Sequence, residues 1–192
     1  MMLFQTDAFN VPVRDAFDAI VEWSAAEGAA ADADGIIDGG ACSASETVEI
    51  LPDEGHETLP ACRNVTAKPG GTSANIKAVA VTVYGTDING DPQVETLPAF
   101  TADSTTAVTG AKCFKTIDHI SVPAMDGAGV TVDLGWGNVY GLPFKFTSAP
   151  IALGSVDGVS KTLTFTVAEG QWTTVAFQTA PSNKAAKVVL FY

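Results

Sequence analysis

The sequence predicts an all-β protein, an antiparallel β-sandwich or barrel of about eight to ten strands, preceded by an acidic N-terminal arm containing one short helix. Three observations lead there. From residue 61 onward, runs rich in Val, Thr, Ile and Phe recur between clusters of Gly, Pro, Asp and Asn, the punctuation of short strands joined by turns. Asn89-Gly90 stands between two such runs and is the strongest short hairpin signal. The net charge is confined to the region before them. Of 22 Asp+Glu and 10 Lys+Arg in 192 residues, positions 1–60 hold 13 acids and one base, Arg14, and so carry the whole formal charge of −12. The expected division is therefore an arm, residues 1–60, and a neutral body, residues 61–192.

In chain order, Val13–Glu27 reads as the helix. Phe17, Ile20, Val21 and Ser24 fall on one face of a 3.6-residue period, and Asp15 and Asp18 suit the positive end of its dipole. Gly28 stops it. AAADADGIIDGG, residues 29–40, is small and acidic and reads as a flexible link. Thr47–Leu51 is a short strand, and Pro52-Asp53-Glu54-Gly55 a turn. Ala74–Tyr84 is apolar on both alternating faces, as a central strand would be. Val94–Phe100 is its hairpin partner across Asn89-Gly90. Further strands are expected at Lys112–Val122, Val130–Leu134, Phe144–Leu153, Lys161–Val167, Thr173–Thr179 and Lys187–Tyr192. Glu57-Thr58-Leu59-Pro60-Ala61 recurs at Glu95–Ala99, but two copies do not build a repeat architecture.

Composition narrows the function classes. A chain with no basic excess has no footprint for phosphate backbones, so neither nucleic acid nor an anionic membrane is an expected partner. No run has the length of an apolar spanning helix, and Met-Met-Leu-Phe-Gln-Thr-Asp lacks the basic stretch and apolar core of a secretory leader. At 46% hydrophobic and 17% charged, the chain is apolar enough to bury a core. Cys42, Cys62 and Cys113 are odd in number and have no CxxC spacing, which suits free thiols in a reducing compartment; a Cys42–Cys62 bridge is the alternative.

The candidate chemistries fall short one by one. Asp32-Ala33-Asp34-Gly35 and Asp87-Ile88-Asn89-Gly90 resemble fragments of a calcium loop. Counting from each glycine, however, the first and twelfth ligand positions are Ala30 and Ala41, and Gly85 and Thr96. His56-Glu57 begins like a zinc-protease helix, but Pro60 stands where the second His is needed. His56, Cys42, Cys62 and Cys113 have no metal-ligand spacing. No nucleophile with a base and orienting partner is legible, so neither catalysis nor a cofactor is expected. Gly135-Trp136-Gly137-Asn138-Val139-Tyr140-Gly141 places two aromatics in a glycine-rich turn. They either plug the end of the sandwich or a subunit contact, or stack on a ligand such as a sugar ring.

RNVTAKPGGTSANIKAVAVTVYGTDINGDPQVETLPAF, TGAKCFKTIDHISVPAMDGAG and GWGNVYGLP follow one another across residues 63–143. In that order they resemble a family of tailed-bacteriophage virion structural proteins, and the closing AKVVLFY is similar to that family's last strand. Tyr140-Gly141 departs from the usual Leu-Gly or Lys-Leu-Gly. The resemblance implies a particle component without chemistry, above all a head decoration (cement) protein on the capsid surface. Such a protein passes through the host cytoplasm during assembly, binds the major capsid protein and self-associates, often as a trimer. A tail-associated glycan-binding adhesion module and a connector or tail-tube component are the alternatives. Under this reading the candidate partner-binding residues are Phe17, Ile20, Val21 and Trp23 in the arm and Trp136 and Tyr140 in the loop. The arm is expected to touch the capsid, and its acidity asks for a basic surface there.

Overall fold

The computed structural model describes residues 19–191, and these form thirteen strands in two antiparallel sheets. They are β1 (Ala19–Trp23), β2 (Asp32–Ala41), β3 (Val48–Ile50), β4 (Thr58–Gly71), β5 (Thr82–Thr86), β6 (Pro92–Thr96), β7 (Val108–Val122), β8 (Val130–Gly141), β9 (Ile151–Val156), β10 (Val159–Lys161), β11 (Leu163–Thr166), β12 (Thr174–Phe177) and β13 (Ala186–Phe191). The expected all-β class is found. A four-stranded sheet runs β1-β13-β9-β10. The nine-stranded sheet runs β11-β12-β8-β4-β7-β5-β6, with β2 added on β8 and β3 on β7.

β8 and β4 pass through two separate cores. Along 130–141 β8 keeps β4 on one edge, while its other edge pairs with β2 over 131–136 and with β12 over 139–141. The first half closes a half-barrel around Ile36, Ile37, Val65, Phe114, Ile120 and Leu134, all 0–1% exposed. The second half lies under the four-stranded sheet as a sandwich, with Trp23, Tyr140, Val175, Phe177, Val188 and Leu190 between the layers. Where the two meet, Ala61 to Val65 of β4 are buried without alternation, because one side of the strand faces each core.

Three expectations are corrected here. The helix expected at Val13–Glu27 is, from Ala19 to Trp23, the strand β1, hydrogen-bonded to β13 in the register Ala19↔Leu190 to Trp23↔Ala186. The helical reading left Trp23, its largest apolar side chain, off the apolar face; the period of two puts Ala19, Val21 and Trp23 inward together. Ser24 to Gly28 form a single turn, in which the Glu27 carboxylate accepts the Ser24 N–H and Oγ–H at 2.8 Å each. Residues 13–18 of that helix lie outside the described residues.

The expected flexible link contains β2. Its acids point outward, whereas Ile36 and Ile37 enter the barrel core and supply the burial that holds the strand on β8. The boundary at residue 60 therefore falls inside β4, and β2 and β3 before it belong to the same sheet as the strands after it.

The expected glycine-rich turn at 135–141 is the second half of β8. A side chain at Gly135 would collide with the Asp32 and Ala33 backbone of β2, so glycine there is what lets the two strands approach.

The Asn89-Gly90 hairpin is found, with Thr82↔Thr96 to Thr86↔Pro92 in register and Gly90 at φ +86°. The strand expected over Ala74–Tyr84 is regular only from Thr82. Before it, isolated bonds tie Val79 and Val81 to Phe100 and Leu97. The recurring ETLPA segments sit differently, one entering the central β4 and the other leaving the edge strand β6; what they share is a leucine, Leu59 and Leu97, in one core.

Candidate functional site

Of the residues singled out in the sequence, Trp23 and Tyr140 are brought together, but inside the sandwich. Their ring centroids are 5.1 Å apart, and Phe177 meets both edge-on at 6.0 and 5.9 Å. Tyr140 has no exposed surface and Trp23 is 6% exposed, so neither presents itself to a partner. Trp136 is half-buried, and its indole N–H donates to the Ala30 carbonyl at 2.9 Å. Val21 packs inward against the same core as Trp23, and Ile20 points out. Phe17 lies outside the described residues.

Beside the aromatic trio sits Arg63, fully buried and, among the described residues, with no carboxylate partner. Its guanidinium donates to Ala29 O at 2.7 Å, to Gly137 O and to Asn138 Oδ1 at 3.1 Å, and its carbon lies 4.8 Å from the centre of the Tyr140 ring. Burial pulls its pKa down from the usual arginine value. Next to it, Asn64 Oδ1 accepts the Val139 N–H at 3.0 Å, and Asn64 Nδ2 donates to Gly110 O at 3.2 Å. This node joins β4, β8 and the segment leading into β2 where the two cores meet. Its polar atoms are engaged with the protein's own backbone and the Asn138 side chain, apart from Arg63 Nε and Tyr140 Oη, which have no partner among the described residues.

Cys42, Cys62 and Cys113 are free thiols, and the Cys42–Cys62 alternative is not formed. Burial pushes Cys42 up to about 11, Cys62 up to about 12, and Cys113 well above the ordinary range. Asp32 and Asp34 face one another. The hydrogen bond that protonated Asp34 donates to the Asp32 carboxylate, followed by the Asp32 charge, raises the Asp34 carboxyl above the usual range. Among the described residues no group of three or more His, Cys, Asp or Glu side chains converges as metal ligands would.

A cleft of about 220 Å³ opens between β6–β7 and the β11–β12 turn, with Gln93, Glu95, Lys112, Thr166 and Trp172 on its walls. Trp172 is fixed in place. Its indole N–H donates to Asp87 Oδ2 at 2.5 Å, and Lys145 Nζ lies 4.4 Å from its ring centre. Burial pushes the Asp87 carboxyl up, but hydrogen bonds from Trp172 and from the Asn89 and Asp91 N–H groups, with Lys145 nearby, outweigh it and hold the group below its usual range. Three further polar side chains on its walls are already occupied. Glu95 accepts the Ala111 and Lys112 N–H groups, Lys112 Nζ donates to Val94 O, and Gln93 Nε2 donates to Cys113 O. The cleft is a braced seam with few free polar groups to orient a ligand.

The surface that stands out is the outer face of the four-stranded sheet. Ile20 of β1 pairs with Val189 of β13, which pairs with Leu153 of β9; one step along, Phe191 pairs with Ile151. Ile20, Leu153 and Ile151 are 46%, 63% and 77% exposed. The sequence reading missed Leu153 and Ile151, although a signal was present. In Ile151-Ala152-Leu153-Gly154 large and small residues alternate, and the small ones point inward because a side chain at Gly154 would strike Leu163. Neither a protein-family model, nor a curated protein, nor a solved structure matches the chain.

Proposed function

We propose that this chain is a non-enzymatic structural component of a tailed-bacteriophage virion, most specifically a head decoration protein that stabilises the shell by binding the major capsid protein. The observation that carries the reading is the ordered set of motifs from Arg63 to Pro143. It is supported by what the interior polar groups do: buried Arg63, Asn64 and Asp87, with half-buried Trp172, brace strands against one another. It is also supported by two contrasting surfaces, an acidic one around β2, with Asp32, Asp34, Asp38 and Asp53, and the apolar sheet face. A subunit held between a shell, its own neighbours and solvent needs such contrast.

The capsid-contacting segment is narrower than 1–60 in this reading, because residues 32–41 are a strand of the barrel. Removing positions 1–18 is the appropriate truncation. Electron microscopy of purified particles carrying a label on this protein, with a copy-number count, tests the assignment. Many copies spread over the head are expected; absence from particles, or a few copies at the tail, overturns it.

A further inference from the structure

Among the described residues the four-stranded sheet ends at β1, an edge with no neighbouring strand. Exposed edges are usually blunted by Pro, Lys, a bulge or a very short strand. β10, at the opposite end, has three residues, and the barrel edge β6 begins with Pro92. β1 has none of these devices: it reads Ala-Ile-Val-Glu-Trp in unbroken register with β13. Its one charge, Glu22, is already paired with Lys187 of β13 at 2.9 Å. Beside this edge lies the apolar row Ile20–Val189–Leu153. Charge is favourable too. The four strands carry Glu22, Lys161 and Lys187 and no other charged residue, whereas the chain as a whole carries −12. The strands of this sheet themselves therefore add little like-charge repulsion between two copies.

We infer that two copies of this chain pair antiparallel through β1, edge to edge about a two-fold axis, with Ile20 opposite Ile20 of the second copy. A free edge offers main-chain donors and acceptors that only another strand satisfies in series, and β1 is a five-residue unblunted edge present in every copy. Facing residues in an antiparallel pair point the same way. The registers that keep Ile20 outward therefore place Ile20 opposite Ile20, Ile20 opposite Glu22, or Glu22 opposite Glu22. The last sets like charges face to face and the second abuts a polar row. The first makes one apolar row, Leu153–Val189–Ile20, continuous with its own copy across the axis. The arrangement closes as a dimer. It does not depend on the particle reading, because it is tested on the isolated protein.

The test is covalent trapping of the full-length chain. Directly opposed residues bring their Cβ atoms to about 5 Å, close to what a disulfide spans. Leu153 and its copy would be five strand spacings, about 24 Å, apart. Under mild oxidation Ile20→Cys should run as a disulfide-linked dimer, while Leu153→Cys and the unsubstituted chain, whose own thiols are sheltered, should not. Ile20→Asp should sediment as a monomer at concentrations where the parent is a dimer. Trapping by Leu153→Cys without Ile20→Cys would show that faces, not edges, meet and would overturn the inference. A three-fold assembly or a monomeric parent chain would overturn it as well.

Discussion

Arg63 and Tyr140 differ in how their polar atoms are used, and the difference predicts opposite mutational outcomes. Arg63 satisfies the Ala29 and Gly137 carbonyls and the Asn138 side chain from a fully buried position. Arg63→Ala removes those bonds and leaves a cavity, so a loss of about 3 kcal/mol or more is expected from urea midpoints. Tyr140 Oη is buried with no partner among the described residues. Tyr140→Phe deletes an unmet hydroxyl and should be neutral or stabilising by up to about 1 kcal/mol; a clear destabilisation would mean that the hydroxyl has a partner. The thiols make a pH prediction. Cys42 and Cys62 are pushed up to about 11 and about 12. Below about pH 8.5, the ordinary thiol value, they are neutral whether folded or unfolded and do not affect the balance. Above it the unfolded chain releases protons that the folded chain keeps, so stability should fall as pH climbs from there toward 12. In alkylation at pH 8 followed by mass spectrometry, the native protein should be nearly inert and the urea-unfolded protein should label at all three cysteines.

At the scale of elements, β9 shows how packing space decides orientation. Its large residues, Ile151 and Leu153, face out and its small ones, Ala152 and Gly154, face in, because Leu163 already fills the space under Gly154. Gly154→Val should therefore cost about 1–3 kcal/mol by overpacking, whereas Ile151→Ser, 77% exposed, should stay within about 0.5 kcal/mol. Thermal unfolding of the two variants checks the pair, and the reverse order would show β9 to be turned over. β1 teaches the same lesson from the sequence side. Ile20 and Val21 fit a helical face as well as a strand, and Trp23 decides between them only because a core with Tyr140 and Phe177 is there to receive it.

For the whole molecule, the charge is an architectural strain as well as a mark of solubility. Residues 19–60 hold ten acids and no base, and β2 and β3 are built into the large sheet in spite of it. Asp32 already raises the cost of ionising Asp34. Raising salt from about 20 to about 200 mM screens such repulsion and should raise the unfolding midpoint; a lowered midpoint would mean that attractive pairs dominate instead.

The amino-acid sequence already carries the all-β class, the hairpin at Asn89-Gly90, most strands after residue 108 and the concentration of charge before residue 60. Each depends on residue type and spacing within one short segment. It also singled out Trp23 and Tyr140 as functional aromatics without being able to tell surface from interior. Only the tertiary structure decided that β1 is a strand, that the acidic link is a barrel strand held by Ile36 and Ile37, that the 135–141 glycines continue β8, and that Ile151 and Leu153 lie outside. The physical reason is common to all four. A short apolar segment takes the conformation and the facing that its neighbours leave open, and those neighbours, β13, β8, β4 and Leu163, come from distant parts of the chain.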